Sequence, residues 1–281
     1  MTLLNVELLQ GRSDPRASPA SVALVSDSHH VDSSAAKTLR LLDAFATGQQ
    51  TVLGVTELAQ LAQVPKSTAH RLLSTLLDQH YVRRVGDRYC LTNRAFELGN
   101  RVGICRPNGL RESAMPFLAD LYADTRETVH LAVLQGTDVL YLEKLFGPNS
   151  VRSGTAVGGR KKAHATALGK AMLANSAADV CDSALGQKLR RYTPYTQVNR
   201  GSLERTLQHI RERGFATDQQ EMLLGMVCVA APICDPYSGR VLAAVSVSAR
   251  ASTEAVRKLR PKVVNTAAAI SQQLGSAVFA V

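Results

Sequence analysis

Apolar positions recur with helical spacing in two short segments between residues 55 and 76. Val55–Ala62 predicts a short helix with Thr56 as its N-cap, and the pattern then breaks off. Pro65 suits the first turn of a second helix. The apolar face of this second helix repeats at i, i+3, i+4 and i+7, and it consists of Ala69, Leu72, Leu73 and Leu76. The pattern therefore predicts two helices joined by a tight turn.

The opposite face of the second helix carries hydrogen-bonding side chains and cations, and the first acid is Asp78. The residues of this face are Lys66, Ser67, Thr68, His70, Arg71, Ser74 and Thr75. A solvated helix face usually mixes acids with bases, whereas a face without carboxylates suits a polyanion. Such donors match guanine edges and phosphates in a major groove. We interpret the two helices as a helix-turn-helix with a DNA-recognition helix.

A basic hairpin follows the second helix. Tyr81–Val85 and Arg88–Leu91 predict two short strands around a turn at Gly86-Asp87. The arginines at its tip, where a winged helix contacts phosphates or the minor groove, are Arg83, Arg84 and Arg88. The alternative is a helical hairpin beside an ordinary β-hairpin. The order of turn, apolar face, basic face and basic hairpin favours the winged helix.

The segment before these helices completes a first domain. Ser34–Thr47 predicts another helix, which ends at Gly48, so residues 33–91 are expected to form a three-helix winged helix-turn-helix domain. Residues 1–32 contain Gly11, Pro15, Pro19 and several Ser with no sustained period. We expect them to form a disordered tail.

Residues 92–110 are expected to form a linker. Thr92 can cap a helix from Asn93 to about Val102, before Pro107-Asn108-Gly109 ends the segment. The apolar side chains of this helix need a partner, which makes it a candidate dimer contact. The alternative is a terminal helix that folds back on its own domain.

Residues 111–281 predict a second, α+β domain. The expected helices are 112–125, 167–174, 203–213 (ended by Gly214) and 253–274, the last kinked or restarted at Pro261. The expected strands are 129–134, 139–142, 226–233 and 241–248, the first two joined as a hairpin through residues 135–138. We expect helices on one face of an antiparallel sheet.

Four polar features of the second domain indicate a ligand site. Thr166 opens a helix, and the free N–H groups of Ala167, Leu168 and Gly169 would bind an anion. Asp218–Glu221 is a polar segment between a helix and a strand. The other two features are strand residues, namely Cys228 in an apolar strand and the hydroxyl pair Ser246 and Ser248 on one strand face. For any single residue, local hydrogen bonding in a core is the alternative.

Two catalytic interpretations find little support. Gly169-Lys170 resembles the end of a phosphate-binding loop, but His164 stands where glycine is required and Ala171 where a hydroxyl should reach magnesium. Cys228 and His164 could form a nucleophilic pair assisted by Asp218. A cysteine in a buried strand is, however, disfavoured as a thiolate. We expect the protein not to be an enzyme.

Composition limits the class of protein. At 281 residues the chain suffices for two domains, and 45% hydrophobic with 20% charged residues is typical of a globular protein. A net charge of +10 favours an acidic partner, with nucleic acid ahead of a membrane surface. No apolar run spans a bilayer, no signal peptide is evident, and the five cysteines lack metal-ligand spacing. We expect a cytoplasmic protein without metal or cofactor.

Several motifs together resemble one known family, the isocitrate lyase regulator (IclR) type of bacterial transcription factor. The resemblance covers residues 34–276. It rests on Pro65–Leu73, on His164–Ala171, on Asp218-x-x-Glu221-x-x-x-Gly225-x-x-Cys228-x-Ala230-Ala231-Pro232, and on Ser246-Val247-Ser248.

The resemblance implies a winged helix-turn-helix, a linker helix and a GAF-like α/β effector-binding domain with an antiparallel sheet. It also implies dimers or dimers of dimers on double-stranded DNA operators, and a small organic or aromatic acid as effector. On this resemblance the effector contacts are the side chains of Asp218, Cys228, Ser246 and Ser248 and the amides near Ala167 and Leu168.

For DNA we expect Ser67, Thr68 and Arg71 in the major groove, with His70 on the same face, and Lys66, Arg84 and Arg88 on phosphates. We expect a repressor rather than an activator, although the family contains both. The alternative is a DNA-binding protein whose second domain only oligomerises.

Overall fold

The computed structural model describes residues 32–47, 50–102, 109–147 and 150–278. The first domain contains α1 (Ser34–Thr47), β1 (Leu53–Gly54), α2 (Val55–Leu61), α3 (Lys66–Asp78), β2 (Val82–Val85) and β3 (Arg88–Leu91). The tail predicted for residues 1–32 and the helix end predicted at Gly48 lie outside the described residues, except for Asp32, which forms an ion pair with Arg40 at 2.7 Å.

The three helices and the hairpin pack around one core, as the helical periodicity predicts. The apolar face of α3 is buried as expected and contacts side chains from α1 and α2, among them Leu41 and Leu58. Strands β2 and β3 pair in antiparallel register around Gly86, whose positive φ of 64° fits the tight turn. Strand β1 pairs with the other edge of β3, so the sheet order is β1-β3-β2.

The starts of α2 and α3 differ from the sequence interpretation. The N-cap of α2 is Gly54, and Thr56 lies inside the helix. The Glu57 carboxylate accepts the Gly54 N–H at 3.3 Å and thereby satisfies a donor at the helix start. Pro65 precedes α3 as its N-cap and is not part of its first turn.

Helix α4 (Asn93–Gly99) begins at the predicted cap, because the Thr92 hydroxyl accepts the Arg94 N–H at 3.2 Å. The helix ends earlier than the predicted Val102, and Asn100 is its C-cap. Residues 103–108, with most of the predicted break at residues 107–109, lie outside the described residues.

The second domain contains more elements than the sequence predicted. Its helices are α5 (Leu110–Thr125), α6 (Ala167–Ala174), α7 (Ala178–Leu185), α8 (Arg200–Arg213) and α9 (Thr253–Val278). Its strands are β4 (Thr128–Gln135), β5 (Asp138–Leu145), β6 (Arg160–Lys162), β7 (Ala216–Gln219), β8 (Met226–Cys234) and β9 (Val241–Arg250). The sequence did not predict α7, β6 or β7.

The six strands form one antiparallel sheet in the order β6-β5-β4-β9-β8-β7. Helices α5 and α9 pack with Val229 and Val247 on one face, while α6, α7 and α8 pack with Cys228 and Ala230 on the other. The prediction that helices cover one face was therefore wrong. Successive strand residues point to opposite faces, and β8 and β9 bury both sets, so both faces need cover.

Two helix ends in this domain bear on the sequence prediction. Gly214 ends α8 in the left-handed conformation, with φ of 75°, as expected. Pro261, expected to kink or restart the last helix, lies inside α9, which runs through it as one continuous helix. In the described ranges, no helix combines the length and apolarity needed to cross a membrane.

Gly169 is a position where close packing requires glycine. A Cβ there would lie 2.2 Å from the Ala163 carbonyl oxygen, a backbone atom. We expect Gly169→Ala to lower the free energy of unfolding by at least ~2 kcal/mol, because the added methyl group overpacks a rigid site. Urea unfolding measures the change.

Gly201→Ala is the matched control for this prediction. It lies inside α8, where the nearest atom to a new Cβ is 3.6 Å away. Alanine should therefore stabilise the helix by about 0.5–1 kcal/mol. Equal effects of the two substitutions would contradict the packing argument.

Candidate functional site

The polar face of α3 lies on the protein surface. Lys66, Ser67, His70 and Arg71 are exposed, and Thr68 is half-buried. Within the described part of the chain, neither Lys66 nor Arg71 forms an ion pair. Five of the predicted DNA contacts therefore share one helix face, and its cations are available to phosphates or base edges.

The two wing arginines named as phosphate contacts differ in their surroundings. Arg84 is exposed, with its guanidinium 5.7 Å from the centre of the Tyr89 ring. Arg88 is half-buried and donates to Glu57 and to Gln50, both at 3.0 Å. Arg88 therefore joins the hairpin to the start of α2, and a phosphate would have to compete with the Glu57 carboxylate for it.

One buried cavity in the second domain contains every residue predicted for the effector. Those residues are Thr166, Ala167, Leu168, Asp218, Cys228, Ser246 and Ser248. They come from the start of α6 and from β7, β8 and β9, which are separate in sequence. The centre of a water molecule can occupy only about 20 Å³ of this space. Because one water needs about 10–15 Å³ on this measure, the cavity has room for one or two waters.

The start of α6 presents backbone donors to this cavity. The Thr166 hydroxyl accepts the Gly169 N–H at 3.0 Å and so caps the helix. In the hydrogen bonds of the described residues, the N–H groups of Ala167 and Leu168 find no acceptor. Two free amides at a helix N-terminus favour an anionic ligand group.

Asp218 lies in β7, opposite Cys228 of β8. Its carboxylate oxygen Oδ1 accepts the backbone N–H of Glu221 at 2.6 Å and that of Met222 at 3.4 Å. Burial raises the pKa of Asp218 from 3.8 to about 6, and the nearby Lys170 charge partly opposes this rise. The Asp218 carboxyl group therefore takes up a proton at a higher pH than an ordinary aspartate does.

The thiol of Cys228 is a hydrogen-bonding group here. Its Sγ lies 3.0 Å from the Ser248 hydroxyl, and burial raises its pKa well above the usual value for a thiol. His164, its suggested catalytic partner, bonds through Nε2 to the Arg190 carbonyl oxygen at 2.9 Å. These separate contacts give no support to a nucleophilic pair.

The cavity also contains residues that sequence reasoning missed. The His130 Nε2 atom lies 2.8 Å from the Thr155 hydroxyl, which lies 2.7 Å from the Ser153 hydroxyl. Burial and the Lys144 charge lower the pKa of His130 to about 3, so its imidazole is neutral at pH 7. The remaining lining side chains are Tyr141, Met222 and Met226.

A signal for His130 was present, because it is the lone ionisable residue in an otherwise apolar or neutral strand, β4. Ser153 and Thr155 gave none, since they lie in an irregular segment before β6. No cluster of potential metal ligands occurs among the described residues.

Two family models match the chain. The model of the IclR helix-turn-helix domain matches residues 34–86, and the model of the C-terminal domain of the bacterial transcriptional regulator IclR matches residues 104–272. The chain belongs to the IclR family. As an IclR-family protein, it is a DNA-binding transcriptional regulator with a C-terminal ligand-binding domain.

Named relatives agree with this assignment. The HTH-type transcriptional regulator KdgR of Escherichia coli (strain K12) is 32% identical over 249 residues, which cover 86% of this chain and 93% of KdgR. The transcriptional repressor IclR of the same organism is 34% identical over 215 residues, covering 75% of this chain and 77% of the repressor.

A solved structure extends the similarity to the fold. An IclR homologue from Microbacterium hydrocarbonoxydans, crystallised with 4-hydroxybenzoate, superposes with a TM-score of 0.78 at 27% identity. The match covers 87% of this chain and all of the homologue (100%).

The raised pKa of Asp218 predicts a pH-dependent stability. Since the folded state binds a proton more tightly than the unfolded state, this group's contribution to stability is largest in acid and falls as the pH rises through about 6. A shift of about two pKa units corresponds to ~3 kcal/mol. We expect Asp218→Asn, which stays neutral, to remove this loss.

Urea unfolding of both proteins at about pH 4 and about pH 7 measures the effect. The variant should gain stability relative to the natural protein between the two values. Other titrating groups cancel in that comparison. A constant difference between the two proteins would contradict the shifted pKa.

Proposed function

We propose that this IclR-family regulator is a repressor whose binding to a DNA operator is modulated by a small carboxylic acid in the cavity of the second domain. The cavity carries the proposal. It brings two free helix-terminal amides, at Ala167 and Leu168, together with the hydroxyls of Ser246 and Ser248. Such donors would bind a carboxylate, and the Asp218 carboxyl would hold a proton between the two acids.

The class of ligand follows from the lining. Met222, Met226 and Tyr141 give apolar and aromatic contacts beside the polar groups, which suits a small organic or aromatic acid. The related homologue crystallised with 4-hydroxybenzoate supports the aromatic option. An acid of that size exceeds the present cavity, so its entry has to displace side chains.

That displacement gives the ligand its influence on DNA binding. A ligand shifts a conformational equilibrium only by its differential affinity for the two states, typically worth about 1–3 kcal/mol. The state with a closed cavity and the state with an open cavity would differ in how two winged domains meet adjacent half-sites of the operator.

This mechanism requires at least a dimer. On and just after α4, the side chains of Phe96, Leu98 and Val102 are exposed, Phe96 by 69%. Exposed apolar residues on a helix are typical of a protein contact. We infer that residues 92–110 form a linker and dimer contact between residues 33–91 and 111–281, which bind DNA and effector respectively.

Two alternatives remain distinct from this proposal. In the first, the second domain only oligomerises. The polar residues around the cavity would then hydrogen-bond to one another, and the cavity would bind no acid. Nucleophilic catalysis by Cys228 would need a thiolate, whereas burial raises the pKa of this thiol. We therefore infer a regulator without catalytic activity.

Arg71 is the side chain whose loss should test DNA recognition. If its guanidinium contacts a base edge, Arg71→Ala should weaken specific binding by about 1–3 kcal/mol and leave random DNA nearly unaffected. Fluorescence anisotropy on DNA tiled across the upstream region of its own gene, with random competitor, measures both affinities.

Lys258→Ala on α9, an exposed lysine far from α3 in sequence, is the charge control. It should leave the affinity for the operator unchanged. An equal loss for Arg71→Ala on operator and random DNA would assign Arg71 to a phosphate. If none of the tiles bound the protein even at low salt, the assignment of α3 as a DNA-recognition helix would be contradicted.

The effector proposal predicts stabilisation by ligand. Pyruvate, representing 2-oxoacids, and 4-hydroxybenzoate, representing aromatic acids, are suitable first probes. At 100 times its dissociation constant, a bound acid should raise the free energy of unfolding by about 2.7 kcal/mol. Ser248→Ala should weaken the binding of that acid by roughly 1 kcal/mol because one hydrogen bond to the ligand is lost.

Ser183→Ala, at an exposed serine of α7, is the matched control and should not change ligand affinity. Thermal unfolding with increasing ligand gives all three affinities. Equal effects of the two serine substitutions would place the ligand elsewhere. No stabilisation by either class of acid would favour a purely structural domain.

A further inference from the structure

A second depression, separate from the effector cavity, runs along the outer edge of the sheet between α8 and β7. Its open volume is about 480 Å³. His209 and Arg213 of α8 line one side, while Phe215, Thr217 and Gln219 line the other. We call this depression the edge groove.

The free backbone edge of β7 faces the edge groove. The Gln220 N–H donates to the Met226 carbonyl oxygen at 3.0 Å, and the register pairs Asp218 with Cys228. In an antiparallel ladder, hydrogen-bonded residues alternate with residues whose N–H and C=O point away from the partner strand. Thr217 and Gln219 are therefore the residues that present their N–H and C=O groups outward.

These outward groups are unpaired in the described part of the chain, because β7 is the last strand of the sheet and no other hydrogen bond reaches them. Side chains at 215, 217 and 219 alternate with the buried Ala216 and Asp218, as expected for a regular strand. A strand edge beside a helix offers a ladder of donors and acceptors to an added strand.

The charge of the edge groove selects among possible strands. His209 and Arg213 lie one helical turn apart with Arg205 one turn earlier, and all three are exposed. Within the described residues none of the three forms an ion pair. At the inner end, the Lys170–Glu221 pair is buried and neutral as a unit.

A second copy of β7 is disfavoured as the added strand. Its own α8 would bring a second Arg205 and Arg213 next to these arginines, and like charges repel. An acidic strand would instead place its carboxylates against Arg213 and its neighbours. The geometry and the charge thus favour the same occupant, an extended acidic segment.

We propose that the edge groove is a docking site for an extended acidic peptide segment of a partner protein, which adds to β7 as a seventh strand. Backbone hydrogen bonds to Thr217 and Gln219 provide the affinity, and Arg205 and Arg213 of α8 select acidic side chains. The residues proposed to take up the peptide, Arg213, Thr217 and Gln219, line the edge groove and not the effector cavity.

The full-length protein is tested with a fluorescein-labelled peptide, Asp-Val-Glu-Val-Asp-Val, in an anisotropy titration. A basic peptide with lysine at the acidic positions and a peptide with proline at alternate positions are the controls. The acidic peptide should bind saturably and at least tenfold more tightly than either control. Hydrogen exchange should slow at the amides of Thr217 and Gln219 when the peptide is bound.

Two substitutions locate the binding. Thr217→Pro removes an N–H that faces the edge groove and takes no part in the pairing with β8, a position where strands tolerate proline. Arg213→Glu reverses the nearest charge, and Arg257→Glu makes the same change of charge on α9. Thr217→Pro and Arg213→Glu should each lower the affinity for the acidic peptide at least fivefold. The affinity of Arg257→Glu should stay within twofold of that of the natural protein.

Several results would overturn the proposal. These are no saturable binding of the acidic peptide, equal binding of the basic peptide, or the same affinity for Arg213→Glu and Arg257→Glu. A change in oligomeric state on Thr217→Pro, measured by sedimentation, would assign the edge to a second copy of the chain instead. Unchanged far-ultraviolet circular dichroism of each variant confirms that it folds.

Discussion

Lys170 and Glu221 are both almost completely buried, with side-chain exposures of 1% and 7%, and their ion pair joins α6 to the segment after β7. Two charges removed from water are tolerated only when they are paired and bonded, and removing one partner typically costs about 3–5 kcal/mol. Thr193 and Thr196 support the pair by donating to the Gln220 and Glu221 carbonyl oxygens at 2.7 and 2.6 Å.

The geometry of the effector cavity depends on this pair. Lys170 lies one turn after the amides of Ala167 and Leu168, and Glu221 donates its own N–H to Asp218. The pair therefore fixes the distance between the start of α6 and the Asp218 carboxyl group. Within the pair, the Lys170 charge opposes the rise in the pKa of Asp218, whereas the Glu221 charge adds to it.

Much of the first domain could be predicted from sequence because its signals are local. Helical periodicity located α1, α2 and α3, and the turn at Gly86 located the hairpin. Cap chemistry was less reliable, since a Glu57 carboxylate that reaches back to Gly54 cannot be told from an ordinary surface acid by spacing alone. Arg88 was equally misleading, because its pairing with Glu57 joins residues far apart in sequence.

The second domain was predictable where a strand or helix carries its own pattern. The seven residues predicted to contact an effector came from four short motifs, and the structure places all of them around one cavity. The short edge strands β6 and β7 escaped prediction because three or four residues show no period. His130, Ser153 and Thr155 meet only through the sheet, so no local pattern could join them to the cavity.

Strand β9 contributes side chains to both faces of the sheet in the second domain. Ser246 and Ser248 face the ligand cavity, whereas the alternate residues Val245 and Val247 pack in the core formed with α5 and α9. A backbone displacement that moves one set of side chains must move the other, because they share the same peptide units. A displacement of β9 on the cavity side therefore also moves the side chains that pack against α9, and α9 in turn packs against α5, the first described helix after the linker.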